Sequence, residues 1–215
     1  MALTALAGCQ GVLDDDPTSL GEPDQRRGDV IHPTHGDAFP DFSVPDPVRG
    51  DSVARDALLE DGPFVMTFIF TSCQDRCGDL MGILSVIQHD AIEEGWDDDV
   101  HLLAMTWDPE TDDGETLRSY GEAHGIDVDH DHFHFLRPES EDDAIHLIDE
   151  DFGVPVHHGS GNGHDHDDHG PDGPVHYYMI FIVNEDGIVE RSYPGPILFD
   201  HTPNDIVEDV RTVVN

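Results

Sequence analysis

An α/β fold, with a central mixed sheet flanked by helices and a β-hairpin and last helix at its C-terminal end, is what this sequence predicts. Three observations lead there. Strand-like and helix-like runs alternate from Phe39 onward. Phe64-Val65-Met66-Thr67-Phe68-Ile69-Phe70 is a continuous apolar, β-rich run of central-strand length. Asn184-Glu185-Asp186-Gly187 is a strong hairpin signal between the last two strand-like runs.

The elements follow in order. After the first strand, Cys77 to Ala91 reads as a helix, with Leu80, Ile83, Leu84 and Ile87 on one face. Val100 to Thr106 is a second strand, and Glu115 to His124 a second helix stopped by Gly125 as C-terminal cap. His132 to Leu136 is a short third strand. Ser140 to Asp151 is helical, with Ser140 as N-cap, Asp143 three residues on and Gly153 at its end. Tyr177 to Val183 and Ile188 to Tyr193 are the hairpin strands, the first of them entered through His176. Thr202-Pro203-Asn204-Asp205 opens the final helix: N-cap, Pro at the first helical position, acid in the first turn. The order β-α-β-α-β-α, hairpin, α is that of a thioredoxin-like fold, because parallel strands need helical crossovers and the hairpin adds an antiparallel edge.

The 215 residues have room for one such domain and a tail. Nine Arg, no Lys and 48 acidic residues give a net charge of −39. The separated apolar runs argue against disorder, and the absence of a basic patch against nucleic-acid binding. What remains is a surface adapted to high salt, where a Debye length of roughly 3 Å at 1 M quenches the self-repulsion of carboxylates.

Residues 1–9 end in Leu6-Ala7-Gly8-Cys9, the pattern of a lipobox whose Cys becomes a lipidated N-terminus. The apolar run ahead of it is too short to act as a signal peptide alone. Residues 10–38 are rich in Asp, Gly and Pro and read as a flexible acidic tether; 39–215 is the folded domain. Together these predict a domain held at the extracytoplasmic face of the cell membrane by an N-terminal lipid anchor.

The chemistry gathers where the first strand ends, at Thr71-Ser72-Cys73-Gln74-Asp75-Arg76-Cys77. Two Cys four apart at a strand-to-helix junction sit where unpaired N–H groups and the positive end of the helix dipole stabilise a thiolate. Their sulfurs can close a disulfide or share one soft metal ion. The third candidate is His176, because the start of that strand lies beside the Cys loop in a sheet of this order.

These residues carry a family resemblance. Phe70-Thr71-Ser72-Cys73 with Cys77 resembles the F-T-x-C-x-x-x-C of the Sco (SenC) family, and Met105-Thr106-Trp107-Asp108-Pro109-Glu110-Thr111-Asp112 its S-x-D-P-E-x-D segment. His176, eleven residues before Gly187, matches its third ligand, and Phe39-Pro40-Asp41-Phe42 its entry to the domain. Gln74 and Gly78 stand where the family usually has Pro, which bears on loop rigidity and so on redox potential and metal affinity. The resemblance implies Cu(I)/Cu(II) binding through Cys73, Cys77 and His176. It also implies transfer to cytochrome c oxidase subunit II, or a similar copper acceptor, during assembly of the dinuclear copper centre. Asp108 is carried over as a residue behind the ligands or at the partner surface, beside its simpler role as a turn former before Pro109.

Two thiolates and one imidazole suit both copper oxidation states. Without metal, the Cys73/Cys77 pair predicts a thiol-disulfide oxidoreductase or thiol peroxidase as the alternative. An insertion at 157–174 adds His157, His158, His164, His166 and His169 among Gly and Asp, an auxiliary loop for loose metal capture or simply a solvated one. In Asp129-His130-Asp131-His132-Phe133-His134, His132 and His134 are expected to alternate outward along a strand.

Overall fold

The computed structural model describes residues 17–23, 30–73, 76–157, 175–176, 178–198 and 200–215, with the backbone alone at His157, Val175, His176, Pro196 and Ile197. Its strands are β1 (Ser43–Asp46), β2 (Asp51–Ala54), β3 (Phe64–Ile69), β4 (His101–Thr106), β5 (Phe133–Leu136), β6 (Val156–His157), β7 (Val175–His176), β8 (Met179–Val183) and β9 (Val189–Pro194). Its helices are α1 (Arg55–Leu59), α2 (Cys77–Glu94), α3 (Gly114–Ala123), α4 (Glu141–Ile145, continued by a π-helical stretch His146–Asp151), α5 (Gly195–Leu198) and α6 (Pro203–Val214).

Five strands form the central sheet in the order β5-β4-β3-β8-β9. β3 pairs in parallel with β4, and β4 with β5, while β8 runs antiparallel to both β3 and β9. This is the thioredoxin-like arrangement. Every residue of β3, β4 and β8 is buried, which explains why their sequences read as unbroken apolar runs. Right-handed crossovers put α2 and α3 on one face of the sheet. α6 joins them there, packed on α2 through the paired Arg211–Asp90 hydrogen bonds at 2.6 and 2.7 Å.

The other face carries an aromatic core. Phe39 meets Phe64, Phe152 and Phe181 at ring separations of 5.4, 5.1 and 5.2 Å, and Phe42 closes on Phe64 at 6.0 Å. The Phe39-Pro40-Asp41-Phe42 entry is therefore a packing device. Gly153 ends the π-helical stretch at φ +62, and a Cβ there would lie 2.3 Å from the Ile31 carbonyl oxygen. Gly153→Ala combines a left-handed backbone with a main-chain clash. It is expected to cost roughly 2 kcal/mol or more, read from urea unfolding in high salt.

Several capping expectations hold. Gly125 takes positive φ after α3, at 79°; Gly95, which the sequence reading did not single out, does the same after α2, at 77°. Ser140 accepts from the Asp143 N–H, and Thr202 and Asp205 form a capping box at α6. Three features differ from the sequence reading. The β1–β2 hairpin and α1 precede the first expected strand. The strand expected from Tyr177 begins instead at Met179, and His176 belongs to the separate β6–β7 pair. Part of the segment read as tether packs on the domain: the buried Glu190 carboxylate accepts from Ser19 N at 2.7 Å and Leu20 N at 2.9 Å. Asn184 Nδ2 donates to that carboxylate at 2.7 Å and to the Pro17 carbonyl at 2.8 Å.

His132 and His134 do not simply face outward. Both are half-buried, and His132 stacks on buried His101 with rings 4.5 Å apart and 8° from parallel, while His134 lies 5.7 Å from the same ring. Both rings lie beside His101, the first residue of β4. Among the described residues, neither ring nitrogen of His101 has a hydrogen-bond partner.

Candidate metal and thiol site

The Cys loop leaves the C-terminal end of β3, where an open parallel sheet places its ligands. Its first turn is closed by the Cys73 N–H donating to the Phe70 carbonyl at 3.2 Å. Cys73 is half-buried and packs against the core; Gln74 and Asp75 lie outside the described residues. Arg76 is the N-cap of α2, without a side-chain cap, and Cys77 is the first helical residue, fully buried. No disulfide joins Cys73 to Cys77 in this structure. The expected junction is thus observed: one accessible and one buried sulfur at the anion-favouring end of an 18-residue helix.

A buried carboxylate that sequence reasoning passed over holds this loop. Asp112 accepts from Thr71 N at 3.1 Å and from the Thr71 hydroxyl, and from Thr106 Oγ1 at 2.5 Å. It ties the end of β3 to the end of β4 directly behind the Cys loop. Burial raises its pKa above the usual carboxylate range, against the lowering effect of the Thr106 and Thr71 hydrogen bonds. Asp108 makes the turn that delivers Asp112. Its carboxylate accepts from Thr111 N at 3.3 Å and its carbonyl from Asp112 N at 3.0 Å. The D-P-E-x-D spacing contained this signal, since its last Asp is the one carried under the loop.

Tyr120 of α3 is the second residue the sequence did not single out. It is half-buried against the core, and burial raises its phenol pKa, with the charges of Cys77, Cys73 and Asp112 adding in that order. Its hydroxyl therefore shares the electrostatic neighbourhood of both sulfurs.

His176 is placed by the backbone. β8 runs antiparallel to β3, with Thr67 opposite Ile180, so the chain upstream of Met179 heads past the end of β3 from which the Cys loop departs. There β7 pairs with β6, His176 opposite Val156. Of the His-rich insertion, the backbone of His157 is described, opposite Val175. His158, His164, His166 and His169 lie outside the described residues, as does Cys9. Among the described residues, no three of His, Cys, Asp and Glu are gathered at metal-binding distances. The donors nevertheless suit copper: one Cys just after β3, one at the start of α2, and an imidazole-bearing residue on the chain that returns to the same end of the sheet.

A family model described as SCO1/SenC matches residues 40–215. No curated protein sequence matches the chain. Among solved structures, the chain is similar to a SCO1/SenC family lipoprotein from Bacillus anthracis, with TM-score 0.67 and 20% identity over 87% of this chain and 100% of that one. It is similar to BsSco, a member of the Sco family of cytochrome c oxidase assembly proteins in which a disulfide switch is described, with TM-score 0.62 and 20% identity over 88% and 98%. Bradyrhizobium japonicum ScoI with copper bound follows, with TM-score 0.60 and 19% identity over 82% and 99%. At a fifth identity these likenesses show the fold. Among the described residues, no helix is long and apolar enough to cross a membrane.

Proposed function

Because the chain belongs to the SCO1/SenC family, we propose that it is a copper metallochaperone serving the dinuclear copper centre of cytochrome c oxidase. Copper is its cargo, held by Cys73, Cys77 and His176, and subunit II or a similar copper protein is its acceptor. The observation that carries this reading is the placement of Cys73 just after β3 and Cys77 at the first position of α2, with β8 starting at that same end of the sheet, shortly after His176. Copper bound in a relative of the same fold supports it. Three protein ligands leave a position open for an incoming acceptor ligand, so copper can pass by exchange without changing oxidation state. The lipobox pattern at Cys9 and the net charge of −39 support a lipid-anchored protein at the extracytoplasmic face in high salt.

The test is copper binding by the reduced full-length chain in high salt. Wild type is expected to hold one tight equivalent, Cys73→Ser/Cys77→Ser none at that site, and His176→Ala to bind about 100-fold more weakly. Copper retained by the double Cys variant with unchanged affinity would remove the reading.

The unequal exposure of the two sulfurs favours thiol-disulfide exchange as a second role. Cys73, the accessible thiolate, attacks an acceptor disulfide and forms a mixed disulfide. Cys77 then displaces the remaining acceptor sulfur, so the acceptor leaves with two thiols and Cys73–Cys77 becomes the disulfide.

A further inference from the structure

His124 lies at the C-terminal end of α3, outside every motif read from the sequence. Its Nδ1 is 2.8 Å from the Tyr120 carbonyl oxygen. A carbonyl only accepts, so Nδ1 carries the hydrogen, and in the neutral ring the lone pair is at Nε2. A ligating histidine needs that tautomer and that backbone support. Nε2 is directed at the first turn of α2: a Cβ added to Gly78, next to Cys77, would stand 3.1 Å from it. The imidazole thus occupies the space that a side chain at position 78 would fill.

The placement is held from several sides. The His124 and Tyr120 rings are 4.3 Å apart, and the phenol of Tyr120 feels the charges of both cysteines. Beyond His124 the chain is latched to α2. Ser85 Oγ donates to the Gly125 carbonyl at 3.0 Å, Gln88 Nε2 to the Asp127 carbonyl at 3.0 Å, and Asp127 N to Gln88 Oε1 at 2.8 Å.

Resting on the copper reading above, we propose that His124 is an additional imidazole donor at the rim of the Cys73/Cys77 site, which takes copper transiently as it enters or leaves. Among the described residues, no three ligands that include His124 are gathered in advance. Its part is therefore in the exchange step, one ligand replacing another, and not in the resting set. Copper keeps its oxidation state throughout; one bond to sulfur or to the incoming acceptor forms as the bond to Nε2 breaks. Gly78 is the second half of the device, because a methyl group there would press on the ring, which must then shift by a few tenths of an ångström.

The experiment loads the reduced full-length chain with one equivalent of Cu(I) in high salt. It follows transfer to an excess of a Cu(I)-chelating dye, and measures equilibrium affinity by competition with the same dye. His124→Gln and Gly78→Ala are expected to leave stoichiometry and affinity within about threefold while slowing transfer about tenfold. Free imidazole is expected to restore the rate in His124→Gln, a rescue that a merely structural role does not give. Unchanged transfer in His124→Gln overturns the inference while leaving the chaperone reading intact. So does slowed transfer without imidazole rescue, or an affinity loss that matches the change in rate. Copper that fails to bind to wild type, or binds independently of Cys73 and Cys77, overturns both.

Discussion

Asp112→Ala is expected to destabilise the domain by about 3 kcal/mol and to loosen the Cys loop at the same time. The carboxylate is fully buried, and its removal leaves the Thr71 N–H, the Thr71 hydroxyl and the Thr106 hydroxyl without their acceptor. An orphaned buried donor costs about 1–3 kcal/mol, and three are created together. Part of that loss is offset, because the desolvation that raises the Asp112 pKa no longer opposes folding. Urea unfolding in high salt reads the stability. The alkylation rate of Cys73 reads the loop, and should rise as Thr71 is released two residues upstream. Asp112→Asn keeps one acceptor oxygen and should fall between the two. If Asp112→Ala alkylates at the wild-type rate, the carboxylate does not position the thiol.

The His101 stack predicts a loss of stability in mild acid. Burial, with the charges of His132 and His134 adding, lowers the His101 pKa from 6.5 to about 3. The folded state therefore keeps this ring neutral where the unfolded chain protonates it. A depressed pKa in the fold means that the unfolded state binds the extra proton. Stability is then complete above pH 6.5 and falls by ~1.4 kcal/mol per pH unit below it, down to about pH 3. Around the stack, His134 Nδ1 pairs with Asp46 at 3.2 Å and His130 Nε2 with Asp97 at 3.0 Å, while Arg49 reaches Asp131 at 3.4 Å. Carboxylates mostly titrate below pH 5, so the window from pH 6.5 to 5 reports chiefly on imidazoles. His101→Phe keeps a flat ring against His132 and should remove about 2 kcal/mol of the loss over that window. An identical slope in wild type and His101→Phe, from urea unfolding at fixed salt, would end this account.

What the sequence announced and what it hid separate along physical lines. The central strands were legible because burial on both faces leaves no polar interruption in Phe64–Ile69 or His101–Thr106 beyond His101 and two Thr. The caps at Ser140 and Thr202, and the glycine after α3, were legible because few residues serve those backbone positions. The β1–β2 hairpin was hidden by Pro45, Asp46 and Pro47, which read as loop. Buried Asp46 in fact supports the turn by accepting from Val48 N at 3.0 Å and Arg49 N at 3.2 Å. The start of β8 at Met179 was hidden because Tyr177 and Tyr178 are by type strand formers. In the site, two Cys at a helix start advertise their chemistry by type and spacing. Asp112 could be found only through the D-P-E-x-D spacing, and Tyr120 and His124 act through long-range placement, which nothing in a histidine-rich chain marks.

The grip of Glu190 and Asn184 on Pro17, Ser19 and Leu20 sets a leash length. With Phe64 opposite Val183, the hairpin that holds this segment sits at the start of β3, about 20 Å of strand away from the Cys loop. From Cys9 to Pro17 a fully extended chain reaches at most about 28 Å, whereas from Cys9 to Phe39 it reaches roughly 100 Å. A lipid on Cys9 would thus hold the domain close by its hairpin end, with the thiols directed outward. The grip narrows the volume the domain sweeps above a membrane and favours acceptors whose copper ligands stand well clear of the bilayer.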